Sequence, residues 1–263
     1  MPVIHPSALV EAGAELDADV EIGPYSIIGA QVRIGAGTRI GPHVCVQGRT
    51  RIGRDNRIHA FCSIGAVPQD KKYAGEPTAL EIGDRNTIRE YCSVNLGTVQ
   101  DGGLTRIGHD NWIMAYVHVA HDCRVGDNTV LANCTQLAGH VHVGDWAILG
   151  GLTGVHQFVH VGAHAMTGVG SAVTQDVPTY VMLAGTPARP HGINAEGLRR
   201  RGFDAGRIAV LREAYRLLYR RGLALDAALH AVQALHGAHP QSGADLALLV
   251  DFVAASSRGI VRP

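Results

Sequence analysis

From Ile4 onward every sixth residue is aliphatic: Val10, Leu16, Ile22, Ile28, Ile34, Ile40, Val46, Ile52, Ile58 and Ile64 follow without a break. With roughly a third of residues strongly aliphatic, chance gives such a run about once in 10⁵ trials or less. The phase continues at Ile82, Ile88 and Val94, slips by one, and resumes from Ile107 through Val161. Thr167 interrupts it and Val173 closes the register. A period of six fits neither an α-helix nor an alternating strand. It predicts a mainly β, triangular parallel β-helix in which each hexapeptide makes one short strand and one corner, so eighteen residues complete a coil and the aliphatic side chains stack inside. Gly repeatedly follows the aliphatic position (Gly23, Gly35, Gly53, Gly83, Gly108, Gly126). These glycines are expected to supply the unusual backbone angles of the corners, aided by turn pairs such as Asp55-Asn56 and Asp127-Asn128.

Two stretches leave the repeat. Residues 65–81 are polar, carry Pro and Gly, and hold the only lysines, Lys71 and Lys72; residues 96–105 are a second polar excursion. Loops at solenoid corners often carry binding residues, although the second reads equally well as a solvated insertion. The repeat domain is placed at 1–190 and a helical domain at 191–263. Asp204 is a candidate N-cap for a helix to about Arg221, with Ile208, Leu211, Tyr215 and Leu218 on one face. Asp226 to His236 and Ala244 to Ser256 read as two further helices.

Charge changes the picture by exclusion. Lys plus Arg and Asp plus Glu are 23 each, so no global field favours nucleic acid or an anionic membrane. No apolar run approaches the ~20 residues of a membrane span. Met1 to Leu16 lacks the regions of a signal peptide, and the five cysteines show no CxxC spacing; a cytoplasmic, reducing location is expected.

Candidate chemistry comes from histidine. Eight of the fifteen lie between residues 109 and 164. A ruler of eighteen puts Gly139 over His121 and His140 over Asp122, and gathers His118, His121, His140 and His156 on one face of the prism. A neutral His is a general base near pH 7, and a glycine N–H one strand away is a sensible oxyanion donor. Base plus donor suggests acyl transfer from a thioester to a hydroxyl. Alternatively, three histidines could hold Zn²⁺ with an open fourth position, as in a hydratase. His142 and His160, also eighteen apart, read as a surface ladder.

The runs QDKKYAGEPT (69–78), HVAHDC (118–123), LAGHV (137–141), GVHQF (154–158) and GINAEGLRRRGF (192–203) resemble the bacterial UDP-N-acetylglucosamine O-acyltransferases, over nearly the whole chain. The resemblance implies left-handed winding, against the usual crossover rule. It implies a homotrimer with active sites between neighbouring prisms, and transfer of a 3-hydroxyacyl group from acyl carrier protein to the glucosamine 3-hydroxyl of UDP-N-acetylglucosamine, the first step of lipid A synthesis. No tightly bound cofactor and no metal is implied. Carried over by position, His121 is the general base, Gly139 the oxyanion donor, and Asp122 orients the base. His118, His140, His156 and Gln157 line the sugar and acyl pocket; Gln69, Asp70 and Lys72 reach it from the neighbouring subunit. Asn194, Glu196, Arg200 and Arg201 hold the nucleotide, and Arg212, Arg216 and Arg220 meet the acidic carrier protein. Val169 stands where long-chain members have glycine, which implies a shorter acyl groove. Three other readings carry distinguishing marks. An amino-sugar N-acyltransferase would usually have an extra N-terminal domain before the repeat, a zinc hydratase would need stoichiometric metal, and an ice-binding solenoid would want a flat Thr ladder.

Overall fold

The computed structural model describes residues 1–262 and is a left-handed parallel β-helix followed by a helical region. Three sheets of eleven, nine and eight strands form the faces of the prism. The first face contains Glu21–Ile22, Arg39–Ile40, Arg57–Ile58, Thr87–Ile88, Trp112–Ile113 and Val130–Leu131; the second contains Ser93–Asn95, His118–Val119, Gln136–Leu137 and Gly154–Val155; the third contains Arg51, Glu81, Arg106 and Arg124 on successive strands. In each two-residue strand the second residue points inward, so Ile22, Ile40, Ile58, Ile88, Ile113 and Leu131 stack in register and are buried. Each such side chain contributes about 1.5–3 kcal/mol relative to its exposed state, which is why the period of six dominates the chain. Thr167, the exception, is also buried; its hydroxyl accepts from Gly150 N–H (2.8 Å) and pairs with the Thr153 hydroxyl (2.8 Å).

The excursions appear as longer steps in the register. One corner carries a buried ladder of Asn56, Asn86 and Asn111, whose members are separated by 30 and 25 residues instead of 18. Asn86 donates to Asn56 Oδ1 and its own Oδ1 accepts from Asn111 N–H, so the ladder holds the coils together across both insertions.

The reason for the glycines differs from the expectation. Gly23, Gly35, Gly53 and their equivalents do not adopt positive φ; the left-handed corner positions come two places later and are held mostly by non-glycine residues, among them Tyr25, Asp55 and Asp122. Glycine is required there because successive coils touch. A Cβ on Gly23 would lie 2.7 Å from the Gly41 carbonyl carbon, far inside van der Waals contact.

The solenoid sheet extends slightly past residue 190, since Val181–Ala184 pairs antiparallel with Arg189–Ile193. Four helices follow: α1 (Ala195–Arg200), α2 (Ala205–Tyr219), α3 (Leu225–Ala238) and α4 (Gly243–Ala255). Asp204 caps α2 by accepting from Arg207 N–H (2.8 Å), and Ile208, Leu211, Tyr215 and Leu218 are buried as expected. Helix α1 has no counterpart in the sequence reading, because six residues show too little periodicity. After α4 the tail returns to the last coil. Buried Asp176 accepts from the His160 N–H (2.8 Å) and the Ser256 hydroxyl (2.6 Å), and Val261 N–H donates to its carbonyl (2.8 Å).

Candidate active site

His121 and Asp122 form the corner between the second and third faces. Side chains alternate only within a strand; Asp122 sits at φ 59°, so its carboxylate turns back instead of pointing away from its neighbour. Its Oδ2 lies 2.8 Å from His121 Nδ1. The Asp122 side chain has no exposed surface and is held by donors from the second excursion: Thr98 N–H (2.8 Å) and the Thr98 hydroxyl (2.6 Å). A buried carboxylate without such donors would cost several kcal/mol. As an acceptor, Asp122 keeps the His121 proton on Nδ1 and leaves the Nε2 lone pair free. That ring is 14 % exposed.

Gly139 lies one coil further, against the ring of His121. A Cβ here would stand 2.5 Å from His121 Cε1 and 2.6 Å from Nε2, so only glycine lets the imidazole occupy this place. The Gly139 carbonyl accepts from Phe158 N–H (3.1 Å), whereas its own N–H has no acceptor among the described residues. A bare imidazole nitrogen thus packs against a residue whose backbone donor is unused.

Beside them, His140 sits edge-on to His121 (ring centroids 5.0 Å) and stacks on Phe158 (4.3 Å). Its Nδ1 is 3.0 Å from Asp101 Oδ2, and its Nε2 is 3.8 Å from Asp122. The hydrogen bond to His140 holds the Asp101 carboxyl below its usual range. His118 Nδ1 is 2.7 Å from the Ser93 hydroxyl. Burial, reinforced by His121, lowers its pKa and keeps it neutral.

The outward column on the second face runs His118, Gln136, Gly154, Ala172 in register. The drop from His and Gln to Gly and Ala opens a groove of about 420 Å³ with Leu137, Val155 and His156 in its lining. Its small, largely apolar floor suits an alkyl chain. His156 is exposed and its Nδ1 lies 3.3 Å from Arg258 of the returning tail; Gln157 is exposed beside it.

The eighteen-residue ruler therefore brings His118, His121, His140 and His156 together, with one correction: they gather along an edge of the prism, not on one face. The second excursion is likewise no solvated insertion, since it supplies both Thr98 and Asp101. Sequence reasoning missed these two, Ser93 and Arg258. The single-residue slip between Val94 and Ile107 was the available signal, because a merely decorative loop need not sit so tightly on its neighbours. The potential metal ligands are also not three histidines. His121, Asp122 and His140 bring three ligand atoms within 4.8 Å of one another, but the Asp122 carboxylate already accepts from three donors, two on Thr98 and one on His121.

The remaining residues lie apart. Gln69 and Lys72 are exposed on the first excursion, where Asp70 accepts from Lys72 N–H (2.9 Å); no hydrogen bond joins them to the histidine edge among the described residues. Asn194 is buried, with its Oδ1 capping α1 at Gly197 N–H (3.1 Å) and its Nδ2 donating to the His164 carbonyl (3.1 Å). Glu196 pairs with Arg199 and Arg200. Arg201 lies over the Trp146 ring (5.1 Å) and 3.1 Å from His164 Nδ1; burial, then Arg201, pushes His164 down to about 4. Val169 is 75 % exposed on the corner between the first and second faces. Arg212 and Arg216 on α2 and Arg220 at its C-cap are exposed, and with His191 and Tyr215 they line a groove of about 380 Å³. His142 and His160 stack at 4.4 Å, the ladder their spacing predicts.

Comparison with known proteins agrees along the whole chain. The family described as UDP N-acetylglucosamine O-acyltransferase, domain 2, matches residues 176–261, and bacterial transferase hexapeptide repeats match 31–66 and 104–139. An acyl-[acyl-carrier-protein]--UDP-N-acetylglucosamine O-acyltransferase of Verminephrobacter eiseniae is 61 % identical, with 100 % of each chain covered. The enzyme of that name from Thiobacillus denitrificans is 59 % identical over the same span. The solved UDP-N-acetylglucosamine O-acyltransferase of Moraxella catarrhalis is 48 % identical, with 98 % of this chain and 99 % of that one covered and a TM-score of 0.95. No described helix is long and apolar enough to cross a membrane.

Proposed function

The chain belongs to the UDP-N-acetylglucosamine O-acyltransferase family, and from that premise we propose that it moves a 3-hydroxyacyl group from acyl carrier protein to the 3-hydroxyl of UDP-N-acetylglucosamine, the opening step of lipid A synthesis in the cytoplasm. The observation that carries the reading is the His121–Asp122 pair packed against Gly139, whose N–H is unused. His121 Nε2 takes the proton of the sugar hydroxyl as its oxygen attacks the thioester carbonyl. The tetrahedral oxyanion accepts from Gly139 N–H. Collapse breaks the C–S bond, and the imidazolium returns the proton to the departing thiolate.

Around this centre, His118, His140, His156 and Gln157 line the pocket, and the groove below Gln136 receives the acyl chain. Asn194, Glu196, Arg200 and Arg201 serve the nucleotide, although Asn194 is committed to capping α1 and acts chiefly by fixing that helix. The exposed Arg212, Arg216 and Arg220 offer a cationic groove to the acidic carrier protein. A homotrimer is supported by the first face: its outward column is Glu21, Arg39 and Arg57 in the early coils but Trp112, Val130, Ile148 and Met166 later on. Such an apolar stripe on an otherwise polar sheet suits burial against another copy. The copy would also bring Gln69, Asp70 and Lys72 to a neighbour's histidine edge.

The test is mass spectrometry of the product formed from UDP-N-acetylglucosamine and a panel of hydroxyacyl carrier proteins. A mass increase of one hydroxyacyl group, with the ester on the 3-oxygen, is expected; no transfer with any donor would overturn the reading. A chelator should leave the rate unchanged, since the base is free without a metal. Loss of activity that Zn²⁺ restores would favour the hydratase-like alternative. In the same competition assay Val169→Gly should shift the preferred donor toward longer chains. An unchanged preference would remove Val169 from the acyl groove.

A further inference from the structure

The second excursion crosses the catalytic corner and touches it twice. Thr98 gives Asp122 two of its hydrogen bonds, from backbone and hydroxyl, while Asp101 meets His140 at 3.0 Å. Thr98 is itself buried (1 % exposed), and its hydroxyl shares Asp122 Oδ2 with His121 Nδ1. We infer that Thr98 and Asp101 are positioning residues for the acyl transfer, the first orienting Asp122 against His121 and the second fixing the tautomer of His140.

The chemistry follows from which atoms are committed. Asp122 Oδ2 accepts from two donors at once, in one geometry. Without the Thr98 hydroxyl the carboxylate could rotate about its own side chain and leave Nδ1 of His121 poorly aligned, which loosens the direction of Nε2. Asp101, accepting at Nδ1 of His140, turns the Nε2 of that ring toward the site. Neither residue needs to touch substrate. The charged and titratable groups around the base are Asp122 on its own corner, His118 on the second face and His140 on the next coil. Asp101 stands behind His140, with Arg124 and His142 of the third face as its own neighbours.

The inference rests on the acyl-transfer reading, and its test separates the two. The pH dependence of kcat/KM would be measured for the wild type, Thr98→Val, Thr98→Ser and Asp101→Asn, with thermal melting as a check on folding. Thr98→Val should lower kcat about tenfold with little change in KM, the scale of one lost hydrogen bond to a charged group. Its acid limb should move to higher pH, because a carboxylate short of a donor holds the proton it shares with His121 more tightly. Thr98→Ser should restore both. Asp101→Asn, at a more exposed position that tolerates change, should move the limb to lower pH by removing negative charge beside His140. A purely architectural role would lower activity and melting temperature together and leave the limbs in place. Wild-type turnover with both limbs unmoved would overturn this inference alone; no product from the wild type would overturn the transfer reading and this with it. Should Thr98→Val fail to fold, the limb of Asp101→Asn decides.

Discussion

His121→Ala is expected to lower acyl transfer by ~10³-fold or more, with UDP-N-acetylglucosamine still bound. On the proposed mechanism the loss is that of a general base, worth about 10²–10⁴ in rate, and it should fall on kcat because Nε2 would act only as the hydroxyl attacks. The two Thr98 donors to Asp122 do not depend on the imidazole, so the corner should retain its shape and the pocket its affinity. Calorimetric titration with the UDP-sugar should give a Kd within a few-fold of wild type. Retained turnover would take the role of base from His121.

Gly139→Ala should be nearly as damaging through a different route. The backbone N–H survives the substitution, so the oxyanion donor is still present. What fails is space: a methyl group 2.5 Å from His121 Cε1 must displace either the ring or the coil, and the coil is fixed by its neighbours on both sides. The ring is the softer partner. Its displacement separates Nε2 from the point where the donor aims, and a misplacement of about 1 Å costs on the order of 10²-fold in rate. Steady-state kinetics should show kcat down by that amount or more, with thermal stability only slightly changed. An active Gly139→Ala enzyme would mean that ring and donor do not act at one place.

How much of this could be read from the chain differs from element to element. The aliphatic stack was legible because one physical requirement, an inward side chain at every unit, repeats over most of the sequence; a single Thr at 167 could not hide it. The glycines were seen but their reason was not, because close approach between coils and positive φ select the same residue. Only the corner angles of Tyr25, Asp55 and Asp122 tell the two apart. His121 over Gly139 followed from counting by eighteen, since both lie in the uninterrupted part of the repeat. Thr98 and Asp101 lie inside an insertion, where no ruler applies and where a loop's path depends on contacts with residues far along the chain. The same holds for Arg258, which reaches His156 across 102 residues of sequence. Asp122 shows the limit of strand alternation, a rule that ends where the strand does.

The two ends of the solenoid are finished differently. At the last coil Asp176 ties down the returning tail, and Ile260 and Val261 are buried there. At the first, Ile4 is 42 % exposed and Val3 65 %, with a neighbour on one side only. In a stack whose units are steadied mainly by the units next to them, that asymmetry sets a direction for fraying. Heat should loosen the chain from this less tightly packed coil inward, as a zip opened from its looser end, and the histidine edge stands toward the fastened one. Partial melting of the opening coils should therefore precede any loss of activity, a lag that circular dichroism and turnover followed on one heating ramp would show.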